Sequence, residues 1–195
     1  VSPQTNWEGK LDGLIFNLGM IELLSYWKST CSPKIIIKAG FLNEDQIKFW
    51  EKLLIKGLGE FFYTNKIDFT KGDLVNFVIA SEAKQSNSEI EIATSTSSPR
   101  NDTVLKDRDL ILVGGGKDSA VTLEQVSQSG REFNALMLNP TQAAINISKA
   151  AGCKNPIIIK RTIDPKLLEL NRKGYLNGHT PFSAYLAFLS TLAAV

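Results

Sequence analysis

From residue 109 onward, strand-like and helix-like segments alternate, and this alternation constrains the fold more than any other feature of the chain. Asp109-Leu-Ile-Leu-Val113 is an apolar run of strand length. Asp118 to Ser129 carries Ala120, Leu123 and Val126 at helical spacing, and Phe133 to Leu138 is again strand-like. Thr141 to Ala151 is helical, with Gly152 as its stop, and Pro156-Ile-Ile-Ile-Lys-Arg161 is a further strand. Strands separated by single helices pair in parallel, because a parallel pair needs a long crossover. Strands this apolar require cover on both faces. The expectation is an α/β fold, a parallel sheet with helices on both faces. Ligands in such sheets bind beyond the carboxyl ends of the strands, so the turns after Val113, Leu138 and Arg161 are where a site is expected.

A smaller α/β layer precedes this region. Leu14, Leu18, Ile21, Leu24 and Trp27 fall at helical spacing and Ser32-Pro33 ends that segment, after which Lys34-Ile-Ile-Ile-Lys-Ala-Gly40 is strand-like. Asn43 with Gln46 three positions later is a capping box, opening a helix whose apolar face is Ile47, Trp50, Leu53 and Leu54. Gly57 and Gly59 break that helix before Phe61-Phe62-Tyr63. Residues 80–102 are polar, rich in Ser and Thr, and free of aromatics. They bury too little apolar surface to offset the entropy of ordering, so a flexible excursion is expected. The wording of this stretch resembles translated intergenic repeat elements, which implies an in-frame insertion. The expected organisation is therefore an α/β layer over 1–79, the insertion over 80–102, and the alternating strand–helix domain over 103–195. The chain starts at Val1 and stops inside the apolar helical pattern ending Leu192-Ala-Ala-Val195, as expected of a fragment truncated at its C-terminus.

Composition excludes several classes. With 195 residues, 43% hydrophobic and 22% charged, the chain is ordinary for a globular protein. A formal net charge of +2, without a basic stripe, gives no support to a nucleic-acid partner. Cys31 and Cys153 are far apart and lack a CxxC partner, so buried free thiols in a reducing compartment are expected. No run is long and apolar enough for a bilayer and no signal peptide opens the chain, so the expected location is cytoplasmic, without a membrane partner.

The turn after the first strand of the alternation is Gly114-Gly-Gly-Lys-Asp-Ser119. Set between a buried strand and a helix N-terminus, it offers unpaired backbone N–H groups and the positive end of a helix dipole to an anion. The glycines Gly114, Gly115 and Gly116 allow close approach of phosphate oxygens, Lys117 adds a positive charge and Ser119 a hydroxyl donor. Asp118 makes sense in such a place if it holds Mg²⁺ bound to a triphosphate, or fixes the loop through backbone N–H groups. The spacing is not GxxxxGK[ST], and the GxGxxG pattern of dinucleotide folds is also missing.

The loop resembles the SGGxDS signature of the N-type ATP pyrophosphatases, which cleave ATP between the α and β phosphates and adenylate a substrate. Gly114 stands where that signature has Ser, which removes one hydroxyl donor. The resemblance implies an adenine nucleotide alpha hydrolase-like fold, ATP and Mg²⁺ as cofactors, and adenine held by backbone atoms near Asn139. A plain strand-to-helix turn at Leu138-Asn139-Pro140 is the alternative. Gly57-Leu-Gly-Glu-Phe-Phe-Tyr63, Gly115-Gly-Lys-Asp-Ser119, Arg161-Thr-Ile-Asp164 and Gly174-Tyr-Leu-Asn-Gly-His-Thr-Pro181 together are similar to the UDP-N-acetyl-α-D-muramoyl-L-alanyl-L-glutamate epimerases. That resemblance spans nearly all of the chain outside 80–102. It implies a nucleotide-linked muramoyl dipeptide as substrate and ATP-dependent inversion of its terminal glutamate. The candidate groups are Lys117, Lys160 and Arg161 for the leaving pyrophosphate, His179 for proton transfer, and Glu60 beside it in candidacy. His179 is the only histidine, and a lone histidine is more often structural than catalytic, but this one sits in an Asn-Gly-His-Thr-Pro turn opening an apolar helix, where a ring could face the nucleotide. Another adenylating ligase of the superfamily and a non-catalytic nucleotide-binding module are the competing readings.

Overall fold

The computed structural model describes residues 7–70, 74–80 and 107–195, with side chains from residue 11 onward. Beyond Ala80, the excursion expected over 80–102 lies outside the described residues. The chain forms two compact units, one of residues 1–99 with 164–188 and one of residues 100–163 with 189–195.

The first unit opens with α1 (Trp7–Trp27), which buries Met20, Ile21, Leu24 and Trp27. The helix ends at Trp27, the last residue of the expected helical spacing, and the chain then turns through Cys31 in the left-handed region at φ 47°. The strand β1 (Lys34–Ile37) pairs in parallel with β2 (Asn76–Ile79), from Lys34 opposite Asn76 to Ile37 opposite Ile79. Ile35 and Ile37 are buried while Ile36 faces outward, the period-two alternation of a sheet covered on one face.

The crossover between these strands carries α2 (Glu44–Gly57) and α3 (Gly59–Thr64). The expected capping box is present: the Gln46 N–H donates to Asn43 Oδ1 at 2.9 Å and the Asn43 N–H to Gln46 Oε1 at 2.8 Å. Trp50 and Leu54 are fully buried on α2, and the Trp50 ring stacks on Phe188 with centroids 5.3 Å apart. The break falls at Leu58, and the aromatic cluster after it is itself helical: α3 buries Phe61 and Phe62 and exposes Tyr63. Within the same unit, α6 (Pro165–Arg172) starts from Asp164, whose Oδ1 accepts the Lys166 N–H at 2.7 Å, with Pro165 in the first turn. Residues 164–188 thus pack with the N-terminal elements, whereas the sequence places them in the 103–195 layer.

The second unit contains β3 (Asp109–Leu112), α4 (Lys117–Gln128), β4 (Phe133–Leu138), α5 (Gln142–Ala150) and β5 (Ile157–Ile159). The sheet order is β3-β4-β5, parallel throughout. Ile111, Val113, Ala135 and Met137 on one face form a single core cluster with Leu123 of α4 and Ala144 of α5. Both crossover helices therefore share one face of this sheet, a departure from the expected cover on both faces. The physical reason is the strand order: successive right-handed crossovers that advance in one direction fall on the same side. The last helix, α7 (Phe182–Ala193), is the apolar segment expected after the Asn-Gly-His-Thr-Pro turn. No helix among the described residues is long and apolar enough to cross a membrane. Cys31 and Cys153 are both free but half-buried, less enclosed than expected.

At the amino edge of the second sheet, Arg131 makes a two-pronged bond to Asp109, Nε to Oδ2 at 2.8 Å and Nη2 to Oδ1 at 2.9 Å. The Arg131 guanidinium holds the Asp109 carboxyl below the usual carboxylate range. A carboxyl depressed in the folded state adds stability above its unfolded pKa and loses it as pH falls through the folded one. Asp109→Asn should lower the urea midpoint at pH 7, and the difference from the unaltered protein should shrink as pH falls below the ordinary Asp range and through the lowered folded-state value. The effect is small, because the side chains are 50% and 34% exposed and water screens the pair. A constant difference across that pH range would overturn this assignment.

Candidate functional site

In the second unit, Val113, Leu138 and Ile159 lead to one edge of the sheet, the carboxyl edge. Gly114–Ser119, Asn139 and Arg161 are delivered there together. Gly116 is the N-cap of α4 in extended conformation and makes no side-chain cap, so the first-turn N–H groups of α4 have no acceptor within the helix. Ser119 closes the loop: its Oγ accepts the Gly114 N–H at 3.1 Å.

The three glycines differ in what they require. Gly115 has φ +92°, and a Cβ there would stand 2.9 Å from both the Ala144 nitrogen and Thr141 Oγ1. The loop is therefore pressed against the N-terminus of α5, where Thr141 Oγ1 accepts the Ala144 N–H at 3.2 Å. A Cβ on Gly114 or Gly116 would meet nothing within 4 Å. Glycine is compulsory at 115 for the fold, and at 114 and 116 it leaves backbone open on the outer side. Two helix N-termini, of α4 and α5, converge on this loop, which suits an anion of high charge.

Lys117 and Asp118 are both 87% exposed and pair with each other, Nζ to Oδ1 at 2.5 Å. Among the described residues no group of three or more His, Cys, Asp or Glu side chains is arranged to hold a metal. Asp118 is thus a single carboxylate at the loop, and it is the residue there that could hold a Mg²⁺.

Asn139 has φ 46°, in the left-handed region that Asn tolerates better than most residues. Its side chain spans the gap to the next strand: Nδ2 donates to the Arg161 carbonyl at 2.8 Å, and Oδ1 accepts the Arg161 N–H at 2.9 Å. The amide extends the β4–β5 ladder by one rung and anchors the backbone of Arg161 at the carboxyl edge. Asn139 is therefore occupied as a clamp, and its backbone N–H also donates to the Ile159 carbonyl at 2.9 Å, which leaves its own carbonyl for any adenine contact.

His179 and Glu60 belong to the first unit, where two glycine-containing segments interlock. A Cβ on Gly57 would stand 2.9 Å from Pro181 Cβ, and one on Gly178 would stand 2.9 Å from the Phe61 ring. Asn65 Nδ2 donates to the Asn177 carbonyl at 3.2 Å, and the Gly178 N–H donates to Asn177 Oδ1 at 2.8 Å. This packing sets His179 Nδ1 3.4 Å from Glu60 Oε2, with both side chains largely in solvent at 84% and 69% exposure. Such an exposed pair contributes little to stability, so its interest is chemical. With Nδ1 turned to a carboxylate, Nε2 is the ring nitrogen left to exchange a proton.

Sequence reasoning missed Thr141, although a Thr just ahead of a helical pattern is an N-cap signal. It also missed Lys28 and Asn65, which read locally as ordinary polar residues.

The fold and the loop define an α/β protein with an open, glycine-rich strand–loop–helix turn at the carboxyl edge of a parallel sheet. The chain belongs to the MurL N-terminal domain family, whose model matches residues 2–195. Among curated proteins it is similar to a UDP-N-acetyl-alpha-D-muramoyl-L-alanyl-L-glutamate epimerase of Xanthomonas oryzae pv. oryzae, 27% identical over 91% of this chain and 36% of the relative. Relatives of the same name from Micromonospora sp. and Salinispora tropica are 29% and 28% identical, over 94% and 91% of this chain and 39% and 35% of their own lengths. The chain spans little more than a third of the relatives it matches. No solved structure matches.

Proposed function

We propose that this chain supplies the ATP-binding and proton-transfer groups of an enzyme that inverts the terminal L-glutamate of UDP-MurNAc-L-Ala-L-Glu, in peptidoglycan precursor synthesis. The observation that carries the reading is the loop, with Gly115 locked against α5 while Gly114 and Gly116 stay open beside two helix N-termini. The substrate is the one that the names of the relatives specify.

The chemistry requires activation before proton removal. The glutamate Cα–H is poorly acidic beside a free α-carboxylate, because the carbanion would form next to a negative charge. Attack of that carboxylate on the α-phosphorus of ATP expels pyrophosphate and gives an acyl adenylate, whose carbonyl accepts electron density. A base then takes the α-proton, an acid returns one to the opposite face, and water cleaves the adenylate to the D-glutamyl product and AMP. Backbone N–H groups of the loop, with Lys117 and Arg161, would hold the phosphates. Asp118 would hold Mg²⁺, which lessens charge repulsion on the triphosphate. His179, oriented by Glu60, is the proposed proton carrier.

Full-length protein given ATP, Mg²⁺ and UDP-MurNAc-L-Ala-L-Glu in deuterated water should place deuterium at the glutamate α-carbon, with AMP and pyrophosphate formed in step with inversion. Hydrogen retained at that carbon, with an amide or ester product, would identify a ligase instead. Nucleotide binding without turnover would identify a binding module.

A further inference from the structure

The turn that carries His179 is gripped from beneath by a buried amine. Lys28, just past the end of α1, is 4% exposed. Its Nζ donates to the Gly178 carbonyl and, at 2.9 Å, to Thr180 Oγ1. Ser25, also buried, places its Oγ 3.3 Å from the same Thr180 hydroxyl. Lys28 thus holds the residues on either side of His179, while the imidazole itself stays in solvent. An ammonium withdrawn from water loses hydration that only well-aligned acceptors restore, and an apolar side chain of equal length would fill the same space without that loss. As packing, a lysine here is a poor choice. As a clamp it is a good one, because one group with several donors restrains the Gly178 carbonyl and the Thr180 hydroxyl at once.

We propose that Lys28 is the positioning residue for His179. The inference rests on the reading in which His179 carries the α-proton. With the Gly178 carbonyl and the Thr180 hydroxyl fixed, the backbone at residue 179 cannot swing, and only the imidazole torsions remain free. Glu60 then selects among those. Proton transfer is sensitive to such placement, since a displacement of about 1 Å can cost on the order of a hundredfold in rate.

Three variants of the full-length protein test this. Lys28→Met keeps the stem and removes the donors, Thr180→Val removes the hydroxyl while keeping the shape, and Thr180→Ser retains the hydroxyl. Amide hydrogen exchange across 177–181 should accelerate roughly tenfold or more in Lys28→Met and Thr180→Val, and stay unchanged in Thr180→Ser and across α2 in all three. Deuterium incorporation into the muramoyl dipeptide should fall roughly a hundredfold in kcat for Lys28→Met, with its KM and the rate of pyrophosphate release within about twofold. Thr180→Val should move the same way and Thr180→Ser should behave as the unaltered protein. Unchanged amide exchange at 177–181 in Lys28→Met overturns the proposal. So does acceleration throughout the first unit together with loss of pyrophosphate release, which would make Lys28 a support of the fold. If Lys28→Met does not fold, equal rates in Thr180→Val and Thr180→Ser overturn it instead. If the unaltered protein incorporates no deuterium, the epimerase reading fails, and amide exchange alone decides whether Lys28 holds the turn.

Discussion

Gly115→Ala should lower the melting temperature by on the order of 10 °C and abolish ATP-dependent pyrophosphate release. Two costs combine at this position. A side chain at φ +92° carries about 1–2 kcal/mol of backbone strain. The added methyl would also press within 2.9 Å of the Ala144 nitrogen and Thr141 Oγ1. The first of these is backbone at a helix start and has no rotamer to yield, and overpacking of this kind costs typically about 1–3 kcal/mol. Relief requires the loop to lift away from α5, which separates the two helix N-termini that an anion would use. Gly114→Ala and Gly116→Ala provide the contrast. Their Cβ positions are open, so both variants should melt close to the unaltered protein and yet bind ATP more weakly, because the methyl occupies the space a phosphate needs. Differential scanning calorimetry together with ATP titration separates the cases. Equal melting of all three variants would show that the loop does not rest on α5.

That contrast marks the boundary of what the amino-acid sequence discloses. The capping box at Asn43 and Gln46 and the apolar runs at 109–113 and 133–138 are local signals, and each is found where it is read. The loop is also legible as a loop. Which of its glycines is compulsory depends on α5 coming close, and no spacing within Gly114–Ser119 conveys that. Helix α6 was within reach of a local reading, since Asp164-Pro165 ahead of Leu167, Leu168 and Leu170 is an N-cap with proline in the first turn. The strand β2 follows a polar stretch and is only four residues long, too short for a periodic signal to stand out. Its partner β1 is equally short but is bounded by Pro33 and Gly40, and those breakers make it visible. The membership of 164–188 in the first unit is tertiary: Trp50 stacked on Phe188 and Gly57 against Pro181 join segments distant in sequence. Lys28 shows the same limit. Just past the end of α1 it reads as a solvated surface lysine, and only the arrival of Gly178 and Thr180 turns it into a buried clamp.

His179→Asn should slow deuterium incorporation at the glutamate α-carbon by roughly two to four orders of magnitude, the usual contribution of a general acid–base group. Asparagine retains much of the size and polarity of the ring but cannot exchange a proton near neutral pH. The imidazole is 84% exposed and, among the described residues, its close ionic partner is Glu60 at 3.4 Å, so folding depends little on it and the variant should melt within a few degrees of the unaltered protein. Pyrophosphate release should persist, because the groups assigned to ATP lie on the carboxyl edge of the second sheet and the substitution leaves them intact. Glu60→Gln should move the exchange rate in the same direction but by less. The amide still meets the ring, but it no longer stabilises the imidazolium that forms when His179 takes the proton. The ordering of the two effects is itself a test, because an orienting carboxylate cannot matter more than the ring it orients. Exchange at the normal rate in His179→Asn would remove the residue from the mechanism. Joint loss of exchange and pyrophosphate release, with a large drop in melting temperature, would make it a structural histidine that locks the 177–181 turn onto α3.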